Sequence, residues 1–469
     1  MSICDCGIRS KVFGKKMTLE VDDRHPLIKL ANELPWQEMY ALVCEDLRMS
    51  TLCKTWHYGR KLKVRIHLGA YLLQKLYDLT DRETEGALRD NAAYQLFCGY
   101  GIVDDWHPPD HTRIERFRSR LSPKTQQELA NLMSRNAVRL GLASPEDIDI
   151  DSTVQEANMT YPTDAKMLKK LGAMALKVIK GLSQGASGLK EGAVKVTLNM
   201  RDIAAKARRC FFLAKPSTTA KRTQVLSELL EAVSEPVRSV VDSCKTLPSS
   251  LIETLSWPVK RALSQLMTHG PSYLQSVKRF IHTGSAEMGK RLSFHLDEVS
   301  CFSKKKEHKK YEFGRAFQLI RLSGNFLFVG TCTNVRLDDK KSLLPLIDEY
   351  EDYFGQQPLS SLTTDKGYYS KTNIKTLMKR HVNKVGIQVP ANAKNSPLTL
   401  SDQEAETLSN RRAGIEPLIG HTKQGGQLGR SRMKNDRTIE ASGYAAVLGF
   451  NLRQTIRALI KPKPRTMLL

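Results

Sequence analysis

The spacing of apolar residues changes period along the chain, and the changes divide it. Leu68, Leu72, Leu76 and Leu79 recur every three or four residues, which predicts one buried helix face. Thr80-Asp81-Arg82-Glu83 has the form of a capping box that opens the next helix. Ser122-Pro123 opens another, with proline at its first position. The pattern is helical from His25 to Gly141, after an irregular leader at 1–24. At Asp147-Ile148-Asp149-Ile150-Asp151 the period falls to two, which predicts a β-strand. Ile148 and Ile150 then face a core, and Asp147, Asp149 and Asp151 share the opposite face. Tyr161-Pro162 closes this strand region. Helical patterns return over 165–290, with Val225, Leu229 and Val233 on one stripe; the segment is too long and too patterned for a loop and reads as a helical insertion.

Strand signals follow. Arg315–Leu322 and Phe326–Thr333 flank the turn Ser323-Gly324-Asn325 as a hairpin. After them come a helix at 341–353, a strand at Leu359–Thr364 that runs into Asp365, a helix at 371–381 and a strand at Lys384–Val389. Ser401-Asp402-Gln403-Glu404, a second capping box, opens a helix running toward Glu416, and 461–469 is a flexible basic tail. With the insertion set aside, the order is strand, two hairpin strands, helix, strand, helix, strand, helix. That order predicts an α/β fold: an RNase H-like mixed-sheet core over 142–460, interrupted by a helical insertion at 165–290 and preceded by an all-α domain over 25–141.

In such a core the first strand sits mid-sheet, and Asp365 and Glu416 are placed to converge on Asp151. Like charges this close repel, and a hard divalent cation would relieve the repulsion. Asp149 shares the face and is the rival for the first position. A solvated edge strand, its acids pointing to water, is the plainer reading of the same alternation.

Charge changes the picture further. Seventy-three Lys and Arg against 49 acids give +24 and a pI near 9.6, which points to a polyanion, most simply nucleic acid. The insertion holds 21 Lys and Arg against eight acids, +13. Arg113, Arg116 and Arg120 fall on one helical stripe suited to phosphates. The run Lys304–Lys310, with Lys309 and Lys310, is expected beside the acidic site. No apolar run approaches the roughly 18 residues of a membrane span, and the first residues lack a signal-peptide core. Nine cysteines are scattered; Cys4-x-Cys6 has no second pair and makes a poor zinc site, so reduced intracellular thiols are expected. No Walker or dinucleotide glycine motif is present.

Several stretches resemble the DDE transposases of bacterial insertion sequences: Asp151-Ser152-Thr153 with Tyr161-Pro162-Thr163-Asp164, His308–Gly314, Thr364-Asp365-Lys366-Gly367-Tyr368, and Leu448-Gly449-Phe450-Asn451-Leu452-Arg453. The most specific piece is Arg412-x3-Glu416-x6-Lys423; the tyrosine that the family carries three residues before the arginine is Ser409 here. The resemblance spans roughly 25–460. It implies a transposase that binds the terminal inverted repeats of its own element as double-stranded DNA and cleaves and transfers strands into target DNA. It implies Asp151, Asp365 and Glu416 as catalytic ligands of Mg²⁺ or Mn²⁺, and Arg412 and Lys423 as DNA contacts. It further implies a homo-oligomer in a synaptic complex and a bacterial cytoplasmic, nucleoid-associated location without membrane attachment. A catalytically inactive or domesticated DNA-binding derivative is the alternative.

Overall fold

The computed structural model describes residues 18–49, 64–103, 106–185, 199–245, 248–287, 289–306, 309–332, 338–355, 359–380, 382–393 and 396–460. Cys4, Cys6, most of the leader, His308 and the basic tail lie outside these residues, as does the side chain of Lys309. The chain forms two compact units: one takes the described residues up to Asn158 and from Ser300 onward, the other is Met159–Val299.

The first unit opens with helices α1 (Pro26–Glu33), α2 (Trp36–Met49), α3 (Val64–Tyr77), α4 (Asp81–Asp90), α5 (Ala92–Phe97), α6 (His111–Arg120) and α7 (Pro123–Arg139). Leu68, Leu72 and Leu76 of α3 are all buried. The helix stops before Leu79, where Asp78 takes φ 52°, but Leu79 still packs, partly buried, against the same cluster. The Thr80–Glu83 box forms in both directions, and Ser122 caps α7 with Pro123 at its start.

Strand β1 (Ser144–Glu156) follows α7 and carries the acid–isoleucine alternation. After the second unit come β2 (Ser300–Lys306), β3 (Lys309–Ser323) and β4 (Leu327–Val329). The sheet runs β2-β3-β1, then β5 and β6 (defined below), with β4 on β3. The sequence reading has two hairpin strands here; the structure has three, because β2 pairs with the first half of β3. Gly324 and Asn325 turn the β3–β4 hairpin at φ 86° and 66°. Helix α13 (Asp339–Phe354) leads to β5 (Ser361–Thr364), α14 (Lys371–Lys379), β6 (Lys384–Ile387), α15 (Asp402–Ala413), α16 (Ile415–Gly426) and α17 (Asp436–Ile460); the insertion's helices, α8–α12, are given below.

β1 lies mid-sheet, antiparallel to β3 and parallel to β5, which is parallel to β6. Ile148 and Ile150 are fully buried among Ile320, Leu322 and Leu362. The core of residues 25–141 is continuous with that of the sheet and α17. Leu68, Leu72 and Phe117 share one hydrophobic cluster with Phe317 and Leu327 of the sheet and Tyr444, Leu448 and Phe450 of α17. The Leu448–Arg453 motif makes this joint. Asn451 accepts from the Leu327 amide at 3.0 Å and donates to the carbonyls of Leu327 (2.7 Å) and Ala130 (3.2 Å). At Gly449 a Cβ would stand 2.3 Å from the Lys75 carbonyl oxygen, so α17 crosses α3 only because no side chain is there.

The second unit is helical: α8 (Asp164–Gly185), α9 (Met200–Phe212), α10 (Thr219–Lys245), α11 (Ser249–Thr254) and α12 (Trp257–Thr283). Val225, Leu229 and Val233 are buried in its own core with Leu171, Val259 and Leu266. No helix among the described residues is long and apolar enough to cross a membrane. All six described cysteines are free thiols.

Candidate active site

The register of β1 separates its three acids. Asp149 stands opposite Thr363 and Ile150 opposite Thr364. One step further, Asp151 comes level with Asp365, the residue that leaves β5. The two acids on the same face therefore meet different partners.

Asp149 is buried and fully engaged. Thr363 Oγ1 donates to its Oδ1 at 2.6 Å, Arg411 Nε lies 2.8 Å from the same oxygen, and Arg321 Nη1 lies 3.1 Å from Oδ2. Arg411 also reaches Asp147 at 3.1 Å, and Ser361 bonds to both Arg411 and Asp147. Asp147 and Asp149 thus form a closed ion network that fastens α15 to β1. Asp149 is thus engaged through both carboxylate oxygens.

Asp151 is open. Its Oδ1 accepts from the Ser152 amide at 2.7 Å, and its nearest cation, Arg412 Nη2, is 3.6 Å away. Burial pushes its pKa up to about 6, and the neighbouring Asp365 and Glu416 carboxylates add to the rise. Arg412 Nη2 also lies 3.4 Å from Glu416 Oε1, so one guanidinium stands between the first and third acids. Its Nε is buried with no hydrogen-bond partner among the described residues.

Asp365 Oδ1 accepts from the Gly367 amide at 2.9 Å. A Cβ on Gly367 would sit 3.0 Å from that oxygen and 3.2 Å from Asp339 Oδ2. Gly367 is therefore the floor of a cradle between two carboxylates. Asp339, at the start of α13, was not singled out from the sequence; after Asp338 it reads as an ordinary first-turn acid of a helix. Burial raises its pKa, the Ser152 hydroxyl opposes the rise, and Asp365 adds to it.

The helix expected to run through Glu416 breaks at Gly414, and a new helix, α16, starts at Ile415. Pro417 falls in the first turn of α16, where its missing N–H leaves no helical bond unmade. Glu416 is exposed, and Lys423 follows two turns later on the same helix. The remaining basic residues divide. Arg113, alongside Asp110, and Arg116 are exposed on α6, whereas Arg120 is half-buried and its backbone carbonyl binds Arg437. Lys310 is exposed but does not adjoin the acids. Leu319 pairs with Asp151, and nine residues of extended strand separate Leu319 from Lys310, roughly 30 Å.

Among the described residues no group of three His, Cys, Asp or Glu side chains is placed to hold a metal ion, so Asp151, Asp365 and Glu416 are neighbours and not an assembled ligand set. The donors nonetheless suit a hard cation: all are carboxylates, Asp151 has only the 3.6 Å contact of Arg412 against its charge, Gly367 leaves the cradle open, and Arg412 keeps a buried donor unfilled.

Two families match the chain. The family described as "Transposase domain (DUF772)" matches residues 17–120, and the family described as "Transposase DDE domain" matches residues 291–452. Asp365 and Glu416 lie inside the second match; Asp151 and nearly all of the second unit lie between the two. A protein of Rhizobium meliloti, "Uncharacterized protein ORF8 in nfe locus", is 25% identical over 176 residues, 37% of this chain and 81% of that protein. No solved structure matches.

Proposed function

Because the chain carries the two domains of an insertion-sequence DDE transposase, we propose that it binds the terminal inverted repeats of its own element, cuts the DNA there and joins the ends to target DNA, working as a homo-oligomer. The observation that supports this best is the β1–β5 register, which brings Asp151 level with Asp365 while Glu416 and Arg412 close the third side. The strand order β4-β3-β1-β5-β6 supports an RNase H-like reading of the core.

Asp151, Asp365 and Glu416 would hold Mg²⁺ or Mn²⁺, with Asp339 beside Asp365. Such an ion supplies Lewis acidity that activates a water or 3′-hydroxyl and stabilises the leaving oxygen. The chain's own residues do the rest. The Ser152 amide orients Asp151, and the Gly367 amide orients Asp365. Arg412, now shared between two carboxylates, offers its unfilled Nε to a phosphate oxygen. Lys423 on α16, with Arg113 and Arg116 on α6, serves DNA backbone contacts.

Cleavage of end DNA in Mg²⁺, run beside a binding assay in Ca²⁺, tests the reading. Glu416→Gln is expected to lose cleavage and keep binding, since it removes a carboxylate and no basic surface. Cutting at the wild-type rate by this variant would place the third acid elsewhere. A wild-type protein that binds ends but cuts nothing would be the inactive DNA-binding derivative.

A further inference from the structure

The second unit carries an exposed surface that the cutting chemistry does not use. Helix α9 turns Ile203 and Cys210 into the unit's core. Its outer face carries Arg201, Ala205, Arg208 and Phe212, at intervals that keep all four within about 60° of arc. Phe211 and Phe212 are 67% and 71% exposed, with ring centroids 5.7 Å apart and planes inclined at 73°. Over 199–222 there are seven Lys and Arg and one acid, and that acid, Asp202, is taken up by Lys206. Arg201, Arg208 and Arg209 are exposed and form no ion pair among the described residues.

We propose that this face of α9 is a second DNA-binding surface, in which Arg201 and Arg208 hold phosphates and Phe212 lies against a base. The inference rests on the transposase reading and adds a contact surface to it. Seven residues of helix separate the two arginines, roughly 10 Å along the axis. That matches about three steps of one DNA strand at 3.4 Å each. Phe212 lies one turn beyond Arg208 on the same stripe, where the next bases fall. Because the two rings are steeply inclined, only one can lie parallel to a base; Phe212 shares the arginine stripe, and Phe211 braces its edge. An aromatic ring of this kind stacks on an unpaired base or wedges into a duplex step, in either case with little sequence preference. An anionic lipid surface fits less well. A membrane-surface helix buries a continuous apolar face, and here Ile203 and Cys210 point inward, leaving two rings among arginines.

The test uses the full-length protein in Ca²⁺ with a random-sequence 30-base-pair duplex and a thirty-residue oligothymidine. Phe211→Ala/Phe212→Ala is expected to bind about ten-fold more weakly, with an unchanged dependence of log Kd on log salt, because no charge is removed. Arg201→Gln/Arg208→Gln is expected to lower that slope on the duplex by nearly two, at about 0.9 per phosphate contact. A larger phenylalanine effect on oligothymidine assigns the ring to unpaired bases; an equal effect assigns it to a wedge in the duplex. If both variants match wild type in affinity and slope, the inference is overturned while the transposase reading stands. It is equally overturned if the phenylalanine variant loses only binding to phosphatidylserine vesicles. A wild type that binds neither DNA would bring down both.

Discussion

Asp149 and Asp151 stand two residues apart on one strand face and have opposite effects on stability. Asp149 neutralises Arg321 and Arg411 in a buried network. Asp149→Asn should destabilise the fold by about 3–5 kcal/mol in denaturant titration, because two guanidinium groups lose their buried counter-charge. Asp151 behaves the other way. Its folded pKa, raised to about 6 from 3.8, means that the folded state binds the proton more tightly than the unfolded one. Stability therefore falls as pH rises from 3.8 through about 6, and the deficit persists above. In metal-free buffer at pH 8, Asp151→Asn should recover on the order of 1–3 kcal/mol, and below pH 4 almost nothing. Thermal melts in EDTA at the two pH values check the sign; a loss at pH 8 would mean that the Arg412 contact outweighs the cost of burying Asp151. The alternation shows that both acids face one way, but not which cation each meets. Arg411 passed unnoticed because the motif points to its neighbour Arg412; two adjacent arginines reaching two acids of one strand is the signal that could have found it.

At the scale of elements, the break between α15 and α16 shows what a one-dimensional reading omits. Taken as one helix, Arg412 and Glu416 differ by about 40° around the axis, and Pro417 is a defect. The structure ends the first helix at Gly414 and makes Pro417 harmless. The reason lies in a distant strand: a Cβ on Gly414 would stand 2.3 Å from Arg321 Nη1, which bonds the Arg411 carbonyl at 2.8 Å. Gly414→Ala should therefore displace Arg321 and cost about 1–3 kcal/mol, whereas Pro417→Ala should stay within about 0.5 kcal/mol; equilibrium unfolding distinguishes them. Strand β2 escaped the sequence reading for a similar reason. Ser-Cys-Phe-Ser-Lys-Lys-Lys has little strand character, and pairing with β3 overrides it. The strands with regular alternation or a clean apolar run, β1, β5 and β6, were legible because their own side chains decide their faces.

For the molecule as a whole, the boundary drawn at Gly141 follows a change of period but not a change of core. Leu68 and Leu72 of α3 share one hydrophobic cluster with Leu448 and Phe450 of α17. Residues 1–141 expressed alone should show no cooperative thermal unfolding, whereas 159–299, which has its own core, should melt cooperatively. A sharp transition in the first fragment would show that the N-terminal helices need no partner. Periodicity reports which face of a helix is apolar; it does not report which distant helix covers it. The joint between α3, α7 and α17 also sets the order in which a newly made chain matures. The insertion leaves the ribosome complete while α17 is still unmade, and at 5–20 residues per second the wait is on the order of ten seconds. Through that interval the leucines of α3 and α7 lack the share of their cover that α17 supplies. A chain cut short between residues 299 and 436 should therefore keep a folded second unit beside N-terminal helices whose leucines have lost part of their cover. Such a fragment should be cleared by proteolysis faster than the full-length chain, which a pulse-chase comparison of the two checks.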